Sequence, residues 1–389
     1  MLAISLAVIS SADPGKALAQ AQDSPPLKRS ELRRTLPLTK FYDTSTALPA
    51  GGPGTLIRSE HTHDYYFPRD ITIFRILYHS RTANGEDAAT SGVVLVPDRK
   101  PPKGGWPVIA WAHRLEGVAR TCAPSLVQNL HEGSFLSMYV NLGYAVVATD
   151  YAGLGTNYRN AAIDIGSNAA DVIYSIPAAR AAVPRLGARW IAMGAFEGAL
   201  VALEVAEKEA DLRDPNYLGS IAISGIADVH QLYQRLAQGP TGQMPVLLAY
   251  GIKTVFPQFR IEDMLTEKGL ALYRRMETSC SLETDSPSEE MLNPHWEQDK
   301  FVQQFFQRNT LGQKTAFGPL LVISSEGDSA VPISLTAEAV GRLCKRGDHV
   351  QFDRYQSPNP KAVIGDSVRD QIEWIQGRFA GRTAPSNCP

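Results

Sequence analysis

Three short runs of nearly unbroken apolar residues, Val108-Ile109-Ala110-Trp111, Ala145-Val146-Val147-Ala148 and Trp190-Ile191-Ala192-Met193, constrain this chain more than anything else in it. A strand with one wet face alternates polar and apolar residues, whereas a run without polar breaks has to be covered on both faces. Helical composition lies between and after the runs, at Asn168 to Ala182 and Gly198 to Ala210, and this alternation predicts an α/β fold with a mostly parallel central sheet and flanking helices. Upstream, Ile71 to Tyr78 and Ser91 to Pro97, with Asn84-Gly85 between them, predict an opening antiparallel pair. Downstream, Ser220 to Ser224, Leu320 to Ser324 and Val350 to Tyr355 predict later strands, and Ser367 to Phe379 a closing amphipathic helix.

The later strands stand far apart in sequence. Residues 226–316 carry helical stretches and a turn near Ser286-Pro287-Ser288, and are expected to form a helical lid or cap inserted in the sheet. The core is therefore expected over 56–225 and 317–389, behind an N-terminal arm at 23–55. Residues 1–22 read as the remains of a signal peptide: Leu2 to Ser11 is apolar but too short to span a bilayer, and Ala17-Leu18-Ala19 precedes a polar stretch. A secreted or periplasmic location follows as the expectation. With a formal net charge of -2, the chain has no electrostatic footprint for nucleic acid, and no run in it predicts a stable membrane span. Cys122, Cys280, Cys344 and Cys388 permit three disulfide pairings in an oxidising compartment, or buried free thiols in a reducing one. His61, His63, His79, His131, His230, His295 and His349 show no metal-ligand spacing, so neither a metal nor a cofactor is expected.

The third apolar run leads into Gly194-Ala195-Phe196-Glu197-Gly198-Ala199. A strand, a turn framed by small residues and a helix make the setting of a nucleophile elbow, which presents one side chain above the sheet. That side chain is a phenyl ring, which has neither a lone pair to attack a carbonyl nor a proton to give a base. No G-x-S-x-G occurs elsewhere in the chain.

The chain resembles the secretory lipase family of α/β-hydrolases. The matching residues are Pro107 to His113, Cys122-Ala123-Pro124-Ser125, Gly143 to Thr156, the elbow frame, Gly327 to Pro332, Trp374-Ile375, Arg378 to Gly381 and Pro385 to Cys388, in family order. The resemblance implies an α/β-hydrolase fold with a helical lid, and disulfides Cys122 to Cys280 and Cys344 to Cys388. It places the family's serine on Phe196, its acid on Asp328 and its histidine near Pro360. Of the three, only the acid is kept. The oxyanion turn has Arg114 where the family has glycine, in His113-Arg114-Leu115-Glu116-Gly117, and the second oxyanion position is Glu197.

Because nucleophile and base act as a unit, losing both predicts the loss of acyl-enzyme chemistry. The residues expected to carry any replacement chemistry are Glu197, Asp328, Arg114 and His113, with Phe196, Tyr151, Leu115 and Glu116 lining a pocket for a hydrophobic small molecule. If Arg114 and Glu197 both turn inward they face each other, one binding an anion and the other moving a proton. Each has a plainer reading: solvent exposure for Arg114 and Glu197, a turn anchor for Asp328, a structural role for His113, a core hydroxyl for Tyr151. Three functions compete. The first is a repurposed non-hydrolytic enzyme of isomerase, lyase or cyclase type, the second a binding pseudoenzyme, and the third a hydrolase with a non-standard nucleophile or a carboxylate-activated water.

Overall fold

The computed structural model describes residues 35–225, 229–237, 242–280 and 284–388, so the leader expected at 1–22 and the first part of the arm lie outside the described residues. Among the described residues nine strands form one sheet: β1 (Leu56–Thr62), β2 (Ile71–Arg81), β3 (Asp87–Pro97), β4 (Trp106–Ala112), β5 (Ala145–Thr149), β6 (Leu186–Ala195), β7 (Tyr217–Ile223), β8 (Leu320–Ser325) and β9 (Val350–Tyr355). Their order across the sheet is β1-β2-β3-β5-β4-β6-β7-β8-β9. The β1 to β3 strands pair antiparallel, as does β3 with β5, and the rest of the sheet is parallel. This is the α/β-hydrolase fold that the sequence predicts. The hairpin at Asn84-Gly85 turns through Gly85 at φ 81°, a left-handed conformation that glycine adopts without a Cβ clash.

Every apolar run is covered on both faces. One face packs α2 (Ile165–Ala182) and α3 (Glu197–Leu212), and the other packs α1 (Gly133–Asn141) and α11 (Val368–Phe379). Trp190, Val108 and Val147 point into the first layer, Ile109, Val146 and Ile191 into the second, as the period of two along a strand requires. Between β7 and β8 lie α4 (Val229–Ala237), α5 (Gln243–Val255), α6 (Ile261–Met264), α7 (Glu267–Met276) and α8 (Lys300–Arg308). Then come α9 (Ile333–Lys345) and α10 (Ala362–Asp366). The apolar side chains of α5 and α8 join the same cluster as α2 and α3, so the inserted block sits on the first layer.

The inserted block is tied down at several points. Cys280 bonds to Cys122 in the loop after β4, and Arg308 holds Asp164 at 2.6 Å. Where the chain returns to the sheet, the buried Glu207 carboxylate accepts the backbone N–H groups of Gly312, Gln313 and Lys314. The second disulfide, Cys344 to Cys388, pins the C-terminal tail. Both pairings are those the family resemblance implies.

Candidate active site

The elbow backbone is intact. Phe196 links β6 to α3 at φ 58° and ψ −120°, a conformation an L residue takes only when its surroundings impose it. The surroundings here are backbone against backbone. A Cβ on Gly194 would run into the carbonyl of Gly198, one on Gly198 into the carbonyl of Ala112 at the end of β4, and one on Gly225 into the carbonyl of Phe196. The Phe196 N–H reaches the carbonyls of Ile223 and Ser224, at 3.0 and 2.8 Å, which fixes the turn to the end of β7. The half-buried ring packs on the apolar cluster of the second layer. The sequence thus supplies all the small residues that a strained nucleophile turn needs and puts a hydrocarbon at its tip.

The acid position is occupied and fully engaged. Asp328 is buried, accepts the Ser224 hydroxyl at 2.7 Å through Oδ2, and accepts the N–H groups of Ala330 and Val331 at 2.9 and 2.8 Å through Oδ1. Its loop touches the one that carries Pro360, because a Cβ on Gly327 would meet the carbonyl of Ser357. The two triad loops therefore keep their neighbourhood. In the second, Asn359 accepts the N–H groups of Lys361 and Ala362, and Pro360 offers no proton.

At the oxyanion turn Arg114 and Glu197 take separate partners. Arg114 turns to Glu116, Nε to Oε1 2.7 Å, with Glu132 at 3.9 Å, and His131 stands 3.6 Å from the other Glu116 oxygen. Burial raises the Glu132 carboxyl against the pull of Arg114. Glu197 turns inward by itself. Its Oε1 accepts from Asn168 Nδ2 at 3.2 Å, and the Ile163 N–H also donates to the carboxylate. Burial pushes this carboxyl up to about 7, and nearby Glu116 adds to the effect. Its charge also acts on the buried hydroxyls of Tyr151 and of Tyr233 in the inserted block, raising both.

His113 and Tyr151 are locked together. The two rings stack with centroids 4.0 Å apart, the Tyr151 hydroxyl donates to the His113 carbonyl at 3.0 Å, and both His113 ring nitrogens face carbonyls, of Arg114 at 2.6 Å and Asp150 at 3.1 Å. Burial lowers the His113 imidazole below its ordinary range. A neutral imidazole donates to only one of these carbonyls, and both of its nitrogens are aimed at the backbone. Leu115 is half-buried against the first-layer core, and Glu116 is taken by Arg114. Two cavities among the described residues, of about 480 and 450 Å³, lie away from the elbow. The first sits at the amino ends of β4 and β5, the second between β9 and α11.

Sequence reasoning passed over Asn168, Ile163, His131, Glu132 and Tyr233. They come from two loops, from α2 and from α4 of the inserted block, and nothing in their spacing marks them. Ser224 was readable only as a strand end, although it is the partner of the retained acid.

The comparisons with known proteins agree with this geometry. A family model described as secretory lipase matches residues 123–387. A Mycobacterium tuberculosis protein described as a probable inactive lipase is 20% identical over 386 residues, covering 90% of this chain and 84% of the relative. Among solved structures, lipase A of Candida antarctica in its closed state superposes with a TM-score of 0.77 at 18% identity, covering 91% of this chain and 89% of that one. The ligand-bound rice cell wall degrading esterase LipA of Xanthomonas oryzae gives 0.70 at 17% identity, covering 85% and 98%.

Proposed function

Because this chain belongs to the secretory lipase family, we propose that it is a non-hydrolytic member, which holds a hydrophobic small molecule between the elbow and the inserted helical block without forming an acyl-enzyme. The observation that carries this reading is Phe196 at φ 58° on an otherwise complete elbow. The strained turn is kept at its full steric cost, while the atom that would attack is gone. Pro360 at the base position, the saturated Asp328 and the occupied ring nitrogens of His113 support it from the other side. The binder ranks above the repurposed enzyme because Arg114 and Glu197, whose pairing would give that enzyme its division of labour, make separate contacts.

One observation favours a catalytic variant of the same reading. A carboxyl poised at about 7 beside the elbow suits a general acid or base for a proton shift in a bound ligand, which points to isomerisation or elimination rather than acyl transfer. Two disulfides and the family's exported members support a location outside the cytoplasm, and no helix among the described residues is long and apolar enough to cross a membrane.

The test is incubation of the oxidised protein with p-nitrophenyl esters of short and long acids, beside a fluorophosphonate label. The expected result is no labelling and no turnover above the buffer rate. Turnover that vanishes in Glu197→Gln or Asp328→Asn overturns the proposal in favour of a carboxylate-assisted hydrolase. A hydrophobic fluorescent ligand such as a naphthalene sulfonate is expected to bind, and to bind more weakly when Phe196 is replaced by Asp.

A further inference from the structure

Two buried tyrosines feel the charge of Glu197, and only one of them is spoken for. The Tyr151 hydroxyl donates to the His113 carbonyl at 3.0 Å. The Tyr233 side chain is only 6% exposed, yet its hydroxyl has no hydrogen-bond partner among the described residues and is not one of the polar atoms that packing seals off. A buried phenol ordinarily finds an acceptor, because burial strips the O–H of its water and something has to replace it.

Both ends of α4 hold Tyr233 near the elbow. The helix begins four residues beyond Gly225, which lies so close to the elbow that a Cβ there would stand 2.4 Å from the Phe196 carbonyl oxygen. Two residues after Tyr233, Arg235 donates to the carbonyl of Ser329, the neighbour of the retained acid, at 3.2 Å. The Tyr233 ring lies 6.1 Å from that of Phe306 in α8, and His230, one turn earlier, stacks on the same ring at 4.6 Å. Glu197 opens α3, keeps part of its surface accessible, and accepts from Asn168 at 3.2 Å. Burial, the Ile163 N–H and the like charge of Glu116 act on its carboxyl, and no cation is paired with it among the described residues.

Building on the catalytic variant of the proposed function, we propose that Glu197 and Tyr233 act together on a neutral ketone, Glu197 as the base that moves an α-proton and Tyr233 as the donor that holds the carbonyl oxygen. An anionic group lodged beside Glu197 would meet a like charge, whereas a neutral carbonyl meets none and supplies the acceptor that Tyr233 lacks. Burial pushes the Tyr233 hydroxyl well above its ordinary value, so it stays a neutral donor. Phe196, in place of a nucleophile, leaves the carbonyl carbon unattacked. For a β,γ-unsaturated ketone the step balances within the ligand and Glu197. The α C–H bond breaks and its proton goes to the carboxylate. Its electron pair forms the enolate C=C while the carbonyl pair moves onto the oxygen, under the Tyr233 hydrogen bond. The proton then returns from Glu197 to the γ-carbon, the carbonyl re-forms, and the product is the conjugated enone.

The test follows the growth of conjugated-enone absorbance when the oxidised full chain is given cyclohex-3-enone or allyl naphthyl ketone. Saturable conversion of at least one is expected. Glu197→Gln is expected to lower kcat about a hundredfold or more, as the loss of a positioned base does, and Glu197→Asp to keep part of the rate. Tyr233→Phe is expected to lower kcat about a hundredfold with a much smaller change in KM, since the hydrogen bond strengthens as charge develops on the oxygen. Both substitutions conserve shape, and melting curves report that each variant is folded. No saturable conversion of either ketone, or conversion that either Glu197→Gln or Tyr233→Phe leaves unchanged, overturns the inference. Naphthalene sulfonate binding without ketone conversion overturns this inference alone, whereas ester turnover or fluorophosphonate labelling is the separate failure of the reading it rests on.

Discussion

Asp328 and Glu197 divide what a carboxylate does at such a site. Asp328 has given both oxygens to the fold, holding the end of β7 to the loop that starts α9. Asp328→Ala leaves two backbone N–H groups and a hydroxyl buried without partners, so a loss of about 2–3 kcal/mol in urea denaturation is expected whatever the activity. Unchanged stability would show that the acid is not an anchor. Glu197 is the reverse case, a carboxyl whose charge the fold opposes. Its folded value near 7 lies above the ordinary 4.5, so between those values the folded chain keeps a proton that the unfolded chain has released. Stability from this group is therefore lost as pH rises through that window. Glu197→Gln is expected to raise the melting temperature at pH 8 and to leave it nearly unchanged at pH 4, as read by calorimetry; equal shifts at both would exclude the titration.

The elbow acts as one element with β4 and β7, because its glycines are backbone contacts and not merely flexible points. Gly198→Ala drives a methyl into the Ala112 carbonyl, and an overpacking loss of about 1–3 kcal/mol is expected in denaturant titrations. A silent substitution would mean that the β6 turn is looser than its geometry. Phe196→Ser, by contrast, is expected to fold and to remain inactive on p-nitrophenyl esters, since no imidazole stands at Pro360 and Arg114 is held by Glu116. The elements that were legible in the sequence are those whose pattern is local. The unbroken runs of β4, β5 and β6 announced a sheet covered on both sides, and the glycines announced the turn. Four elements were passed over: β1, α1, α9 and α10. The β1 sequence Leu56–Thr62 is mostly polar because it is an edge strand with solvent on one side, and α1 opens on glycine and serine with no capping side chain. The site was legible as a list of positions and not as an arrangement. That Arg114 would turn to Glu116 and Glu197 to Asn168 depends on loops that meet only in three dimensions.

For the molecule as a whole, the buried acids add up. Burial pushes Asp150 up to about 6 and Asp171 and Glu197 up to about 7, each against its own hydrogen bonds. Since all three hold protons that the unfolded chain gives up, the native protein is expected to be more stable at pH 5 than at pH 8, and a melting temperature that rises over that interval would contradict the assignment. The disulfides contribute separately. Replacing Cys122 and Cys280 by serine opens a cross-link spanning 158 residues, and a loss of about 2–5 kcal/mol is expected by the chain-entropy argument, read as a shift in the denaturant midpoint. That same bond also governs how the inserted block can move. A panel held only where its chain leaves β7 and re-enters at β8 swings like a door on the line through those two crossings. Cys122 packs in one cluster with Leu77 of β2 and Ala89 of β3, well to the side of β7 in the strand order, which fastens the door away from that line. Chemical reduction of that bond is expected to loosen the block at this edge, leaving the Arg308 and Glu207 contacts to hold it.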